Sequence, residues 1–151
     1  MKRLLSVAAI GALAFSLAGC QSDKDIVVET ATPENIVGTW QLKKGVDGDN
    51  KFSPVQGAPV TLEVTDKETF TGVSGCNNYM GSVVTEGSQV ILSVGGSTMK
   101  MCAEDVMKVE NSYLEALGKA DKGNIEIRKG KKSLHLLSPS EDFDLTFVPS
   151  K

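Results

Sequence analysis

The chain has 151 residues, of which 40% are hydrophobic and 23% charged, a length and composition that suit one globular domain rather than two. Its formal net charge is −3 and its lysines are scattered, so we expect no basic footprint for nucleic acid and no basic patch for a membrane surface. Nucleic-acid binding is therefore excluded as an interpretation.

The first segment, residues 1–19, has the features of a bacterial lipoprotein signal. Lys2 and Arg3 precede an apolar run that is shorter than a typical membrane-spanning helix. The run ends in Leu-Ala-Gly-Cys, which resembles the lipobox, where cleavage before Cys20 leaves its thiol acylated. Loss of the two positive charges with the signal would change the net charge from −3 to −5. The alternative is a plain secretory signal with an incidental cysteine.

Acylation of Cys20 would place the protein on a membrane outside the cytoplasm. Each buried acyl methylene contributes about 0.8 kcal/mol, so two or three chains would hold the protein firmly. Gln21 follows where an aspartate would favour retention in the inner membrane, so we expect the outer membrane, facing the periplasm. Residues 20–33 are polar and predict a flexible tether. An edge strand over residues 26–28 is the alternative.

The folded domain is predicted over residues 34–149, where apolar and polar residues alternate in short stretches typical of strands with one wet face. Turn-forming glycines and polar clusters separate these stretches. The predicted strands are 36–43, 60–64, 69–73, 81–85, 89–94, 125–128, 133–136 and 143–147.

One helix is predicted where the apolar period changes, between residues 104 and 117. Glu104 and Asp105 in its first turn suit the helix dipole, and Gly118 suits a left-handed cap at its end. The fold class is therefore predicted to be α+β: a small, curled antiparallel sheet of six to eight strands packed with one α-helix. The apolar stripe of this helix comprises Val106, Val109 or Met107, Tyr113 and Leu117.

Two cysteines, Cys76 and Cys102, lie within the predicted domain. In the cell envelope thiols can oxidise, and two cysteines pair without remainder, so we favour a disulfide. Such a bridge would stabilise the fold by roughly 3–4 kcal/mol. Two reduced, buried thiols are the alternative.

A copper-handling alternative comes from Met99 and Met101, which surround Cys102 with soft sulfur donors of the kind that bind Cu(I). This metal site would comprise Cys76, Met99, Met101 and Cys102. However, alternating methionines are typical of the buried face of a strand, where they serve packing. We therefore predict no metal and no cofactor, and keep a redox or Cu(I)-handling periplasmic protein as the alternative.

The one histidine, His135, lies on the polar phase of a predicted strand. A thiol hydrolase would need it beside Cys76 or Cys102, which the sequence does not establish. We predict no catalytic residue and interpret the protein as non-enzymatic.

Two sequence blocks carry a further pattern. Residues 70–81 contain Gly75, Cys76 and Asn77, followed by an aromatic residue and Gly81. The second block contains Thr98, Met99 and Cys102, and leads into a helix that carries Glu110 and the pair Tyr113 and Leu114. Together the blocks resemble the META domain family, small bacterial envelope proteins that include HslJ-like lipoproteins.

The resemblance extends over about residues 34–149, and Ala103 stands where a proline is common in the family. The residues of the blocks predict structural roles: Gly75 and Gly81 allow backbone turns that a side chain would block, and Asn77 and Asn78 can bond backbone groups where a strand ends. The resemblance also implies a role in stress response, motility or antibiotic tolerance. We interpret the protein as a lipid-anchored envelope domain that supports such tolerance by binding an envelope partner. Tyr79 and Met80 are candidate contact residues, although burial in the core is the favoured interpretation for such large side chains.

Overall fold

The computed structural model describes residues 25–87, 89–138, 140 and 142–151. Ten strands and one helix occur in this part of the chain. The signal segment, Cys20 and the first residues of the predicted tether lie outside it. The strands are β1 (Ile26–Thr30), β2 (Gly38–Asp47), β3 (Asn50–Phe52), β4 (Val60–Val64), β5 (Thr69–Ser74), β6 (Asn78–Glu86), β7 (Gln89–Ser97), β8 (Lys122–Arg128), β9 (Lys131–Ser138) and β10 (Phe143–Pro149), and the helix is α1 (Glu104–Lys119).

The strands form one antiparallel sheet in the order β1-β8-β9-β10-β2-β4-β5-β6-β7, and β3 pairs with β2 off this path. The sheet curls until β7 also contacts β8, which gives it the form of a half-barrel. Helix α1 contacts β7, β10 and β5. In the described part of the chain, no helix is long and apolar enough to cross a membrane.

The core lies between the inner face of the curled sheet and one face of α1. Burial alternates along the strands, as in β4, where Val60, Leu62 and Val64 are buried and the residues between them are not. Full burial of each such side chain stabilises the fold by about 1.5–3 kcal/mol. The helix contributes Val106, Tyr113, Ala116 and Leu117.

A column of four aromatic rings crosses the core from β5 to β10. The ring centroids of Phe70 and Tyr79 are 5.9 Å apart, those of Tyr79 and Tyr113 5.6 Å, and those of Tyr113 and Phe147 6.2 Å. The Tyr79 hydroxyl donates to the Thr61 carbonyl at 2.7 Å and shares a hydrogen bond with the Tyr113 hydroxyl. Burial raises the pKa of both tyrosines. The column joins the helix to two distant parts of the sheet.

Strand β1 occupies residues that were predicted to form part of the flexible tether. It pairs with β8 along its whole length, and the Ala31 N–H donates to the Gly123 carbonyl at 2.8 Å. Val27 and Val28 are 51% and 60% exposed, so backbone hydrogen bonds rather than burial hold the strand. The edge strand kept as an alternative is therefore the one that forms.

The α+β class and the single helix are as predicted, whereas the prediction of six to eight strands is wrong. The additional strands are β1 and β3. Strand β1 is mostly exposed and β3 has three residues, so neither shows a clear alternation of apolar and polar residues. The predicted cap at Gly118 is also wrong. The helix continues through Gly118 to Lys119, and the Ala120 N–H donates to the Leu117 carbonyl at 3.4 Å.

Candidate functional site

A tight turn connects β5 to β6 and contains Gly75, Cys76 and Asn77. The Ser74 N–H donates to the Asn77 carbonyl at 2.8 Å and closes the turn. Gly75 has φ +106°, a conformation that strongly favours glycine, and a Cβ there would lie 3.3 Å from Val106 of the helix. The turn therefore packs directly against the first turn of α1.

The carboxylate of Glu110, only 4% exposed, lies under this turn and is bound by it. It accepts hydrogen bonds from the Ser74 hydroxyl at 2.5 Å, the Asn77 N–H at 2.8 Å, the Asn77 side-chain amide at 2.7 Å and the Cys76 N–H at 3.3 Å. Burial by itself would raise the pKa of Glu110, but these donors stabilise the charged form and lower the pKa below its usual value. The buried charge is thus held by dipoles from one turn.

The Asn77 side chain links the turn to the loop after β7. Its Oδ1 accepts from the Thr98 hydroxyl at 2.8 Å and from the Lys100 N–H at 2.6 Å, while Nδ2 donates to the Lys100 carbonyl at 3.1 Å and to Glu110. The Asn78 N–H also donates to the Thr98 hydroxyl at 3.1 Å. The predicted role of Asn77 at a strand end is confirmed, and it extends to a second segment.

A disulfide joins Cys76 to Cys102, with a sulfur–sulfur distance of 2.00 Å, as predicted. It ties the turn to Cys102, which directly precedes Ala103, the N-cap residue of α1. Cys76 is 8% exposed, whereas Cys102 is exposed. The loop of residues 98–103 is therefore fixed at one end by hydrogen bonds and at the other by a covalent bond. We call it the anchored loop.

Met99 and Met101 lie in the anchored loop and not on the buried face of a strand, so their predicted packing role is wrong. They are 94% and 87% exposed. The reason is that β7 ends at Ser97. Beyond it, the Asn77 side chain rather than a neighbouring strand binds the N–H and the carbonyl of Lys100. The structure thus presents two large apolar side chains to solvent on a fixed backbone.

The motif residues Gly75, Cys76, Asn77, Thr98 and Cys102 come together at this site, but Gly81 does not. It lies within β6, where a Cβ would be 2.1 Å from the Ser93 carbonyl and 2.4 Å from the Phe70 ring. Its predicted role in a turn is therefore wrong, and the position needs glycine for close approach.

The candidate contact pair Tyr79 and Met80 divides between the two faces of β6. Tyr79 is buried in the core at 1% exposed, as the favoured interpretation held, and Met80 is 61% exposed. Alternation along a strand explains the division. Only Met80 is available to a partner.

His135 contacts Ser133 and Asp144 rather than a cysteine. Its Nδ1 lies 3.1 Å from Asp144 Oδ2, and its Nε2 lies 3.1 Å from the Ser133 hydroxyl. Ser133 and His135 are alternate residues of β9, so they necessarily share its outer face. Such contacts satisfy polar groups on a strand face, and we assign no chemistry to them. The two sulfur atoms that a thiol hydrolase would use are bonded to each other.

The Cu(I) alternative depends on Cys76 and Cys102, whose sulfur atoms cannot act as thiolate ligands while the disulfide is intact. Over the described ranges, no three His, Cys, Asp or Glu side chains converge on a point that could hold a metal ion. The thioethers of Met99 and Met101 remain exposed on the anchored loop.

The central role of Glu110 was not inferred from the sequence. The sequence does contain an indication of it, because Glu110 lies between Val106 and Tyr113 on the helical stripe that faces the core. A carboxylate on a buried stripe requires hydrogen-bond donors from elsewhere in the chain. The sequence alone did not identify those donors as Ser74 and Asn77.

The fold and site together define a small α+β domain in which a curled antiparallel sheet holds one helix and a disulfide fixes a surface loop. The characteristic pattern of the META domain matches residues 34–151, and the chain belongs to the META domain family. No protein with a curated description matches it.

A solved structure supports the fold. The chain is similar to an NMR structure of a protein from Burkholderia xenovorans, with 23% sequence identity and a TM-score of 0.62, over 100% of this chain and 99% of that one. At this identity the likeness shows a shared fold.

Proposed function

We propose that this protein is a non-enzymatic, lipid-anchored cell-envelope protein that supports stress or antibiotic tolerance by binding an envelope protein partner. Acylation of Cys20 holds it on the outer membrane, facing the periplasm. The anchored loop provides the binding surface, with Met99 and Met101 as its apolar contacts.

The observation that carries this proposal is the exposure of Met99 and Met101, at 94% and 87%, on a loop fixed by Asn77 and the disulfide. Large exposed apolar side chains contribute nothing to the core, and methionine adapts its shape to a partner surface. A loop that is already ordered loses little conformational entropy on binding. Both properties support a role for the loop in recognition.

The binding role is tested by complementation of a deletion strain under envelope stress. We expect the wild-type gene to restore tolerance and Met99→Ser with Met101→Ser to fail at equal protein level, because the apolar contacts are lost. Val84→Ser, which changes a 38% exposed apolar residue of β6, is the matched control and should restore tolerance. Full tolerance with the double variant would contradict the proposal that the anchored loop is the binding surface.

The partner is sought by placing a photo-crosslinking residue at position 99 in intact cells. We expect a discrete crosslinked species that the same residue at Lys51, on the short strand β3, does not produce. Crosslinks of equal pattern at both positions would indicate random encounter and contradict a specific partner.

The anchor is tested separately. Labelled palmitate should enter the wild-type protein and not Cys20→Ser, and the labelled protein should fractionate with outer membrane. Unlabelled protein in the soluble fraction would overturn the membrane location.

The copper alternative is tested by titrating the protein with Cu(I) before and after reduction of the disulfide. Our proposal expects no tight stoichiometric binding in either state. Tight binding that Cys102→Ser abolishes would favour the redox or Cu(I)-handling function instead.

A further inference from the structure

The turn between β8 and β9 is a concentrated basic patch, which contradicts the expectation that the lysines are scattered. Residues 128–132 read Arg-Lys-Gly-Lys-Lys. Arg128 and Lys131 pair across the hairpin, and Lys129 and Gly130 form its tip, with φ 51° and 75°. We call residues 128–132 the basic tip.

Two cations of the basic tip, Lys129 and Lys131, have side chains with no bonded partner among the described residues. Arg128 pairs with Glu126 at 3.1 Å. Lys132 lies 5.4 Å from the centroid of the Trp40 ring and donates to a backbone carbonyl. Lys129 and Lys131 are exposed, and in the described part of the chain neither forms an ion pair. They are therefore available to an external anion.

The basic tip lies beside the start of the described chain. The Lys129 N–H donates to the Asp25 carbonyl at 3.1 Å, and Ile26 of β1 pairs with Arg128. Five residues lead from Asp25 back to Cys20, and a fully extended chain of that length spans at most about 18 Å. A segment this short lets the basic tip reach the bilayer surface from an acylated Cys20, and the attraction to anionic headgroups acts within a Debye length of about 8 Å.

We propose that the basic tip binds anionic phospholipid headgroups and orients the domain on the membrane, an inference that rests on the proposed acylation of Cys20. Each basic residue near an anionic surface strengthens binding about fivefold. The carboxylates nearest in sequence, Asp25 and Glu126, oppose this attraction, and Glu126 is already paired with Arg128. The domain as a whole is acidic, so an anionic surface repels most of it and attracts this tip.

The inference is tested with the full-length lipidated protein in two kinds of vesicle, phosphatidylcholine alone and phosphatidylcholine with phosphatidylglycerol. A water-soluble amine reagent is applied and the labelling rate of each lysine is measured by mass spectrometry. We expect labelling of Lys129 and Lys131 to be about fivefold slower on the anionic vesicles and the difference to vanish in high salt. Lys51 on β3 is the internal control, because it belongs to a different hairpin.

A variant and a soluble anion sharpen the test. In Lys129→Gln the protection of Lys131 should fall, because one of the two lysines without a side-chain partner has lost its charge, whereas Lys51→Gln should leave it unchanged. Inorganic phosphate added to the neutral vesicles should give no protection, which separates a headgroup surface from a free phosphate site.

Equal labelling of Lys131 on both vesicles, with palmitate present on Cys20, would overturn the inference and leave the lipid anchor intact. Absence of palmitate would overturn the anchor itself. Protection by free phosphate alone would replace the membrane surface with a soluble-anion site.

Discussion

Asn77 binds Glu110 through both its backbone and its side chain, at 2.8 and 2.7 Å. The two residues come from the turn after β5 and from the middle of α1, 33 positions apart. The same asparagine holds the anchored loop through Thr98 and Lys100. One buried carboxylate therefore supports the geometry of three segments.

Replacing Glu110 with glutamine should destabilise the protein by about 1–3 kcal/mol. The glutamine NH2 group is a donor and would face donors of Ser74 or Asn77, which would then lack an acceptor. The free energy of unfolding in urea measures this loss. Glu115→Gln is the control on the same helix; its side chain is 61% exposed in an ion pair with Lys119, so a change within about 0.5 kcal/mol is expected. An equal loss in both variants would contradict the role of Glu110.

Stability should depend on pH through the same carboxylate. The pKa of Glu110 is lowered in the folded state, so its charge stabilises the fold above the unfolded pKa of about 4.3, and this contribution disappears as the pH falls through the folded pKa. The difference in free energy of unfolding between wild type and Glu110→Gln should therefore shrink between pH 7 and pH 3. Exposed carboxylates such as Asp66 titrate alike in both proteins and cancel. A difference that stays constant would show that Glu110 is not charged in the fold.

Gly81→Ala should destabilise the fold by about 1–3 kcal/mol, because the new methyl group would overlap the Ser93 carbonyl and the Phe70 ring. Thermal or urea unfolding measures the effect. Gly96→Ala in β7, where nothing lies within 4 Å of the added carbon, should change stability by less than about 1 kcal/mol. Tolerance of alanine at both positions would contradict the close approach at Gly81.

Removal of the disulfide by Cys76→Ser with Cys102→Ser should cost roughly 3–4 kcal/mol of unfolding free energy, since the bridge closes a loop across 26 residues. Wild type treated with a reductant should lose a similar amount, and the double variant should not respond to reductant. Alkylation followed by mass measurement should label Cys76 and Cys102 only after reduction. Free thiols in the untreated protein would contradict the bridge.

Prediction succeeded where local pattern and burial agree. Val60, Leu62 and Val64 alternate because one face of β4 meets the core, and the stripe of α1 follows the same logic at helical spacing. It failed for β1, whose valines are half exposed and whose register depends on hydrogen bonds to β8. It also failed for Met99 and Met101. Alternation along the sequence predicts burial only within a strand, and β7 ends at Ser97, before the two methionines.

The α+β class, helix α1 and the family could all be predicted from the sequence, because apolar periodicity and the cysteine blocks are local properties of the chain. The folded structure was needed to show that Glu110 lies under the turn of Asn77, that the basic tip adjoins Asp25, and that Gly81 faces Phe70. Each of these is a contact between different segments of the chain. Such contacts depend on strand order and register, which local periodicity does not specify.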